Sequence, residues 1–152
     1  MHAVLDEGLV AHVGVVTDRG PIVLPMAYGR VGGILYLHGA AGNALLRAAE
    51  GEPVCATVTL LDGLVLARSA FHHSMNFRTV VAFGTARRVI EEGEQRLALD
   101  AIVERVAPGR AAEARPPTPA ELRSTRVLGL DLAEASAKVR AGPPVDLSLI
   151  HI

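Results

Sequence analysis

Only one stretch of the 152-residue chain, residues 91–106, carries a helical stripe long enough for a substantial helix, with Leu99, Ile102, Val103 and Val106 on one face. Ahead of it the chain is a succession of short runs rich in valine and leucine, punctuated by Thr17-Asp18-Arg19-Gly20, Gly32-Gly33 and Asp62-Gly63. That punctuation predicts strands over 10–16, 21–31, 34–38, 53–61, 64–70 and 77–90, with a last strand over 126–139. Asp62-Gly63 reads as a hairpin turn between two of them. Pro25 has no N–H for a ladder, so it marks an edge or a bulge. Short helices are expected within HGAAGNALLRAAEG and from Pro119, and the segment holding Pro116 and Pro117 is a surface connection. Six or seven mostly antiparallel strands with two or three helices argue for a barrel-like, mostly β, α+β domain.

Composition narrows the function classes. Aromatics make up 3% of the chain and tryptophan is absent, so the core must be aliphatic. A net charge of -1 and a single lysine, Lys138, give no electrostatic footprint for nucleic acid. Cys55 is the only cysteine, which excludes an internal disulfide, fits a reducing cytoplasm, and reads as a small buried hydrophobe. No apolar run has the length a membrane demands, and MHAVLDEG lacks the basic region and apolar stretch of a signal peptide. A cytoplasmic protein is the expectation.

Two places could carry chemistry. HGAAGN, residues 38–43, lies between a strand and a helix, where small residues and free N–H groups can receive an anion. It has neither a P-loop nor a GxGxxG pattern, so an ordinary strand–helix turn is the other reading, with His38 structural. The second place is FHHSMNFRTVVAFG, residues 71–84. Alternation along that strand separates Phe77, Thr79, Val81 and Phe83, expected to fill the core, from Arg78, Val80, Ala82 and Gly84. The second set is an arginine followed by shrinking side chains, which suits a planar ligand with an anionic tail. It equally suits a neighbouring strand or subunit. His72 and His73, taken as adjacent strand residues, point to opposite faces and make no metal site. Ser74 lies in no nucleophile-elbow pattern, so hydrolase chemistry is not expected.

In order and spacing, LVAHVGVV, PIVLPMAYGR, ILYLHGAAGNALLRA, LDGLVLARSAFHHSMNFRTVVAFGTARRV and SAKVRAGPP resemble the FMN-binding split-barrel proteins related to pyridoxamine 5'-phosphate oxidase, in the nitroimidazole-resistance-like branch. The resemblance implies a six-stranded antiparallel split barrel with flanking helices, one domain over 1–145, and a homodimer with FMN at its interface. Carried over by position, Pro25, Met26, Ala27 and Tyr28 would border the isoalloxazine, and His38, Gly39, Ala40 and Asn43 would hold the ribityl–phosphate end. Asn76, Phe77, Arg78 and Thr79 would complete the site, with Arg78 as counter-charge to the phosphate and His38 as proton donor near the ring. The chain departs from its relatives in three ways. It has Asn43-Ala44-Leu45 where they often carry a loop lysine or arginine. Met1 falls almost on the first strand, as if the start were shortened, and the apolar tail in 146–152 has no counterpart and is assigned no function.

The resemblance implies a flavoprotein oxidoreductase that exchanges electrons between a reduced nicotinamide, or another donor, and a small-molecule substrate. The alternatives are a dimer that binds or stores flavin or haem without turnover, and a structural barrel dimer with no cofactor. Pyridoxamine 5'-phosphate oxidase activity itself is not expected, because Arg140 is the last arginine and the tail offers no grip for a second phosphate.

Overall fold

The computed structural model describes residues 1–145; the tail 146–152 lies outside them. The chain opens with helix α1 (His2–Glu7) and a meander of β1 (Val10–Thr17), β2 (Gly20–Val31) and β3 (Ile34–Ala40). Gly20 and Gly32, at φ of 102° and 58°, turn the chain where a Cβ would be strained. Asn43 then starts α2 (Ala44–Ala49) by accepting the Leu46 N–H at 3.0 Å. Strands β4 (Pro53–Val65) and β5 (Ser74–Thr85) follow, joined by a loop holding one 3-10 turn, Ala70–His72. After the two-residue β6 (Arg87–Arg88), the Glu91 carboxylate accepts from the Gly93 and Glu94 N–H groups and starts α3 (Glu92–Val106). Short helices α4 (Arg110–Glu113) and α5 (Pro119–Ser124) lead to β7 (Thr125–Asp131) and β8 (Glu134–Arg140).

The strands form one curled sheet in the order β6-β7-β3-β2-β1-β4-β5-β8. Strand β2 belongs to both halves: Gly20 to Ala27 pair with β1, and Tyr28 to Val31 with β3. The curl encloses Val13, Tyr28, Leu35, Leu37, Val58 and Leu130, and α1 and α2 plug it with Val4, Leu5, Leu45 and Leu46. A second cluster of Tyr36, Val89, Ala98, Ile102 and Val127 forms outside, where α3 lies across β2 and β3. Gly29 permits that approach, since a Cβ there would stand 2.7 Å from the Ile102 nitrogen.

The mostly β, α+β fold is as expected, but eight strands replace the six or seven, and three boundaries move. Asp62-Gly63 is not a hairpin turn: β4 runs through it with a register shift between Leu61 and Gly63 and pairs with β5 throughout. A bulge absorbs the extra residue while the ladder continues on both sides. The stretch expected over 126–139 breaks at Leu132, because β7 pairs with β3 while β8 crosses to β5. The run over 77–90 ends at Thr85, and β6 pairs instead with β7. Helix α3 buries Ala98 and Ile102 and part of Leu99, whereas Val106 is 56% exposed.

Candidate functional site

Cross-strand partners point to the same side of a sheet, so the registers map its outer face. One row runs Pro25, His12, Thr57, Val81, Ser136 across β2, β1, β4, β5 and β8, and the next runs Val23, Gly14, Cys55, Phe83, Glu134. Flanking the first row on the same face are Thr59, Thr79, Lys138 and then Leu61, Phe77, Arg140. This face lies in the open: Val16 is 74% exposed, Val23 59%, Leu61 61% and Phe83 51%. Gly14, Cys55 and Thr57 make its centre shallow, and His12 stands exposed beside them.

The expected facing of β5 is therefore reversed. Phe77, Thr79, Val81 and Phe83 point outward, while Val80 and Ala82 are buried and a Cβ on Gly84 would stand 2.9 Å from Leu130. Both sets are apolar enough for a core, and only the pairing with β4 and β8 decides between them. Cys55, expected to be buried, is half-buried on the outer face with its sulfur 3.9 Å from the Thr57 hydroxyl.

Arg78 occupies the opposite, inward row, where it clamps α1. Its Nη1 and Nη2 donate to the two Glu7 oxygens at 2.6 and 2.9 Å, and Nε and Nη2 donate to Asp62 at 3.0 and 2.7 Å. These charge-assisted bonds hold both carboxyls below their ordinary range. Arg30 grips Asp6 in the same bidentate way, at 2.8 and 2.7 Å. The Tyr28 hydroxyl, 2.7 Å from Leu5 O and 3.0 Å from Gly8 O, donates to the end of the same helix. Burial pushes that phenol up to about 12. Arg78, expected as counter-charge to a phosphate, thus directs these donors to Glu7 and Asp62, and Tyr28, expected to border the isoalloxazine, is wholly buried with its hydroxyl on α1.

The other expected residues divide between two parts of the wall. Pro25, Phe77 and Thr79 share the outer face, but three strand spacings, about 14 Å, separate β2 from β5, and Thr79 and Phe77 lie two and four residues further along from the Pro25 row. Met26 packs inward against the main core, and Ala27 packs against the cluster under α3. Asn76 donates to Gly142 O at 3.1 Å and accepts from Arg140 at 3.1 Å. His38 stands on the same side of β3 as Tyr36, with a buried Nδ1 that has no partner, and burial lowers its pKa. Gly39 faces Leu46, Ala40 is exposed, and the Asn43 side chain caps α2. The structure thus does not bring the His38–Asn43 loop together with the outer face. Nor are His72 and His73 strand residues: they lie in and just after the 3-10 turn, and His73 Nδ1 accepts the Ala67 N–H at 2.9 Å. Among the described residues no group of three or more His, Cys, Asp or Glu could hold a metal, and no helix is long and apolar enough to cross a membrane.

Sequence reasoning missed His12, Thr59, Lys138 and Arg140 on this face. What unites them is one face of the sheet, spread over three cross-strand rows and visible only once the register is known.

Comparison with known proteins gives a consistent context. The family model for pyridoxamine 5'-phosphate oxidase matches residues 1–139. The FAD and haem binding protein from Mycobacterium smegmatis is 40% identical, over 95% of this chain and 71% of that one, with a TM-score of 0.89. The flavocytochrome Anf3 from Azotobacter vinelandii is 41% identical, over 95% and 68%, with a TM-score of 0.88. A protein assigned to 5-nitroimidazole antibiotic resistance in Bacteroides thetaiotaomicron shares the fold at 21% identity and a TM-score of 0.72, over 90% and 80%. No curated protein matches the chain.

Proposed function

The chain belongs to the pyridoxamine 5'-phosphate oxidase family, and from there we propose that it binds a flavin nucleotide on the outer face of the sheet and passes electrons between a reduced nicotinamide, or another donor, and a small molecule. The observation that carries this reading is the shallow tray of Gly14, Cys55 and Thr57 set among exposed Val23, Phe83 and Leu61. A planar ring covers apolar surface that one copy leaves in water, and a second copy laid over the same face encloses it. The ligand then lies between two chains of a homodimer.

FMN is the nucleotide expected from the sequence; the relative from Mycobacterium smegmatis is described as binding FAD and haem. Chromatography of the flavin released from the purified protein decides between FMN and FAD. A bound flavin supplies hydride and single-electron transfer, while the chain's own residues orient it and exclude water. Val81 and Phe83 offer an apolar floor, and His12 is the imidazole in the central row able to give or take a proton. His38, expected in that role, stands on another part of the wall.

An absorbance spectrum of the purified protein, before and after adding FMN and desalting, tests the proposal. A retained flavin band that bleaches with NADH or NADPH is the expected result; a protein that stays colourless sinks it. A second reading, a dimer that holds flavin or haem without turnover, is favoured by the likeness to the flavin-and-haem protein and to the flavocytochrome at 40% and 41% identity. A haem band on adding haem, with no bleaching by either nicotinamide, would select it.

A further inference from the structure

We propose that the anionic end of the nucleotide is taken by Lys138 and Arg140 on β8 with the Thr59 hydroxyl beside them, and that Arg78 serves instead to hold α1 in place. The inference rests on the flavin reading above and assigns the residues that would distinguish a phosphorylated flavin from its parent.

Arg78 is disqualified by its partners. Nε points to Asp62, Nη1 to Glu7, and Nη2 to both, so four of its donor contacts end on two carboxylates. One cation between two anions leaves the group net negative, and a phosphate brought there meets like charge. The side chain also lies in the inward row with Leu60 and Val139 as cross-strand partners, away from the outer face.

Lys138 has the opposite setting. It is the only lysine of the chain, it is exposed, and no carboxylate among the described residues pairs with it. Its ammonium stands 5.7 Å from the centre of the Phe77 ring. Thr79 and Thr59 follow in register across β5 and β4. The Thr79 hydroxyl donates to Val58 O at 3.0 Å, so in its 2.8 Å contact with Thr59 it is Thr59 that donates, and exposed Thr59 reaches an anion by exchanging that bond for one to the ligand. Arg140 lies two residues along the same face, about 7 Å away. Its Nη1 is held by Met75 O at 2.9 Å and Asn76 Oδ1 at 3.1 Å, which fixes the guanidinium with donors to spare.

The acid in this outer row of β8 is Glu134, four residues from Lys138. That is about 13 Å, beyond the screening length of roughly 8–10 Å at ordinary salt. Two cations and a hydroxyl beside an aromatic ring form the donor set that phosphate recognition uses. They also supply the positive charge that the loop at Asn43 lacks.

The test titrates the full chain with FMN and with riboflavin, which has the same ring and no phosphate. Wild type is expected to prefer FMN. Lys138→Ala should weaken FMN binding about tenfold or more and leave riboflavin unchanged. Lys138→Ala with Arg140→Ala should bring the two ligands to equal affinity. Arg78→Ala should leave the FMN-to-riboflavin ratio alone while speeding hydrogen exchange in α1. The inference is overturned if wild type binds both ligands equally, if Lys138→Ala keeps the wild-type ratio, or if Arg78→Ala abolishes the preference. A wild-type chain that binds neither ligand overturns the flavin reading itself, a distinguishable failure.

Discussion

The outer wall of the curl is finished in one half and open in the other. Over β2, β3 and the neighbouring β7, helix α3 covers Tyr36 and Val127 with Ala98 and Ile102. Over β1, β4 and β5, residues of the same character, Val16, Leu61 and Phe83, stand in solvent. The glycines mark the contrast. Gly29 admits a helix backbone within 2.7 Å of its absent Cβ, while a Cβ on Gly14 would make only ordinary contact at 3.4 Å with Val23. On one half, glycine makes way for the chain's own helix; on the other it leaves room for something else. An apolar row therefore reports that a surface is to be covered, without reporting which molecule covers it.

The contrast can be broken by substitution. Ile102→Ala removes the anchor of the covered half and should cost about 2–5 kcal/mol in denaturant unfolding. A cost as small as that of a surface change would mean that α3 does not seal this half. His38 should act through pH. Burial lowers its folded pKa, so the folded ring stays neutral while the unfolded chain takes a proton. Stability should accordingly fall as pH drops below the ordinary value of 6.5, down to the lowered folded value. His38→Gln should flatten that slope in unfolding curves measured across the range; an unchanged slope would assign it to other groups. Smallest on folding should be Val16→Ser and Val23→Ser, within about 0.5 kcal/mol each for the single chain. Their effect should appear in sedimentation, where the pair shifts the protein toward single copies. If both variants sediment as the wild type does, the open half is not where two copies meet.

Much of this was legible in the residues. The meander, the Asn43–Ala49 turn of helix and the long helix from Glu92 all carry local signals, namely glycine turns, a capping side chain and a repeating apolar stripe. What escaped depends on distant partners. Asp62-Gly63 looks like a turn locally, but twelve residues of β5 pair along β4 and override it. Leu132-Ala133 offers no turn residue, yet the chain changes partners there because the sheet has curled. Helix α1 has six residues and no capping side chain, and it is held by Tyr28, Arg30 and Arg78 from far along the sequence. The candidate site suffered most. Period two gives two faces for β5 but not their orientation, so the sequence reading assigned Phe77, Thr79, Val81 and Phe83 to the core and did not single out the outward row that ends at Lys138.

Strand β2 has a mechanical consequence. It is one unbroken twelve-residue strand shared by the two half-sheets, so the barrel has a continuous spine on that side. On the far side, no ladder among the described residues joins β6 to β8, and the step from β7 to β8 is the short link through Leu132 and Ala133. A cleft of about 640 Å³ opens there, lined by Pro53, Phe83, Gly84, Asp131, Ala133 and Glu134. Two short covalent links cross that gap, Ala86 between β5 and β6 and Leu132-Ala133 between β7 and β8, so the two half-sheets are tied there as well as along β2. Phe83 and Glu134 lie both on the outer face and at the slit, so whatever rests on that face also reaches the seam where the two half-sheets are stitched.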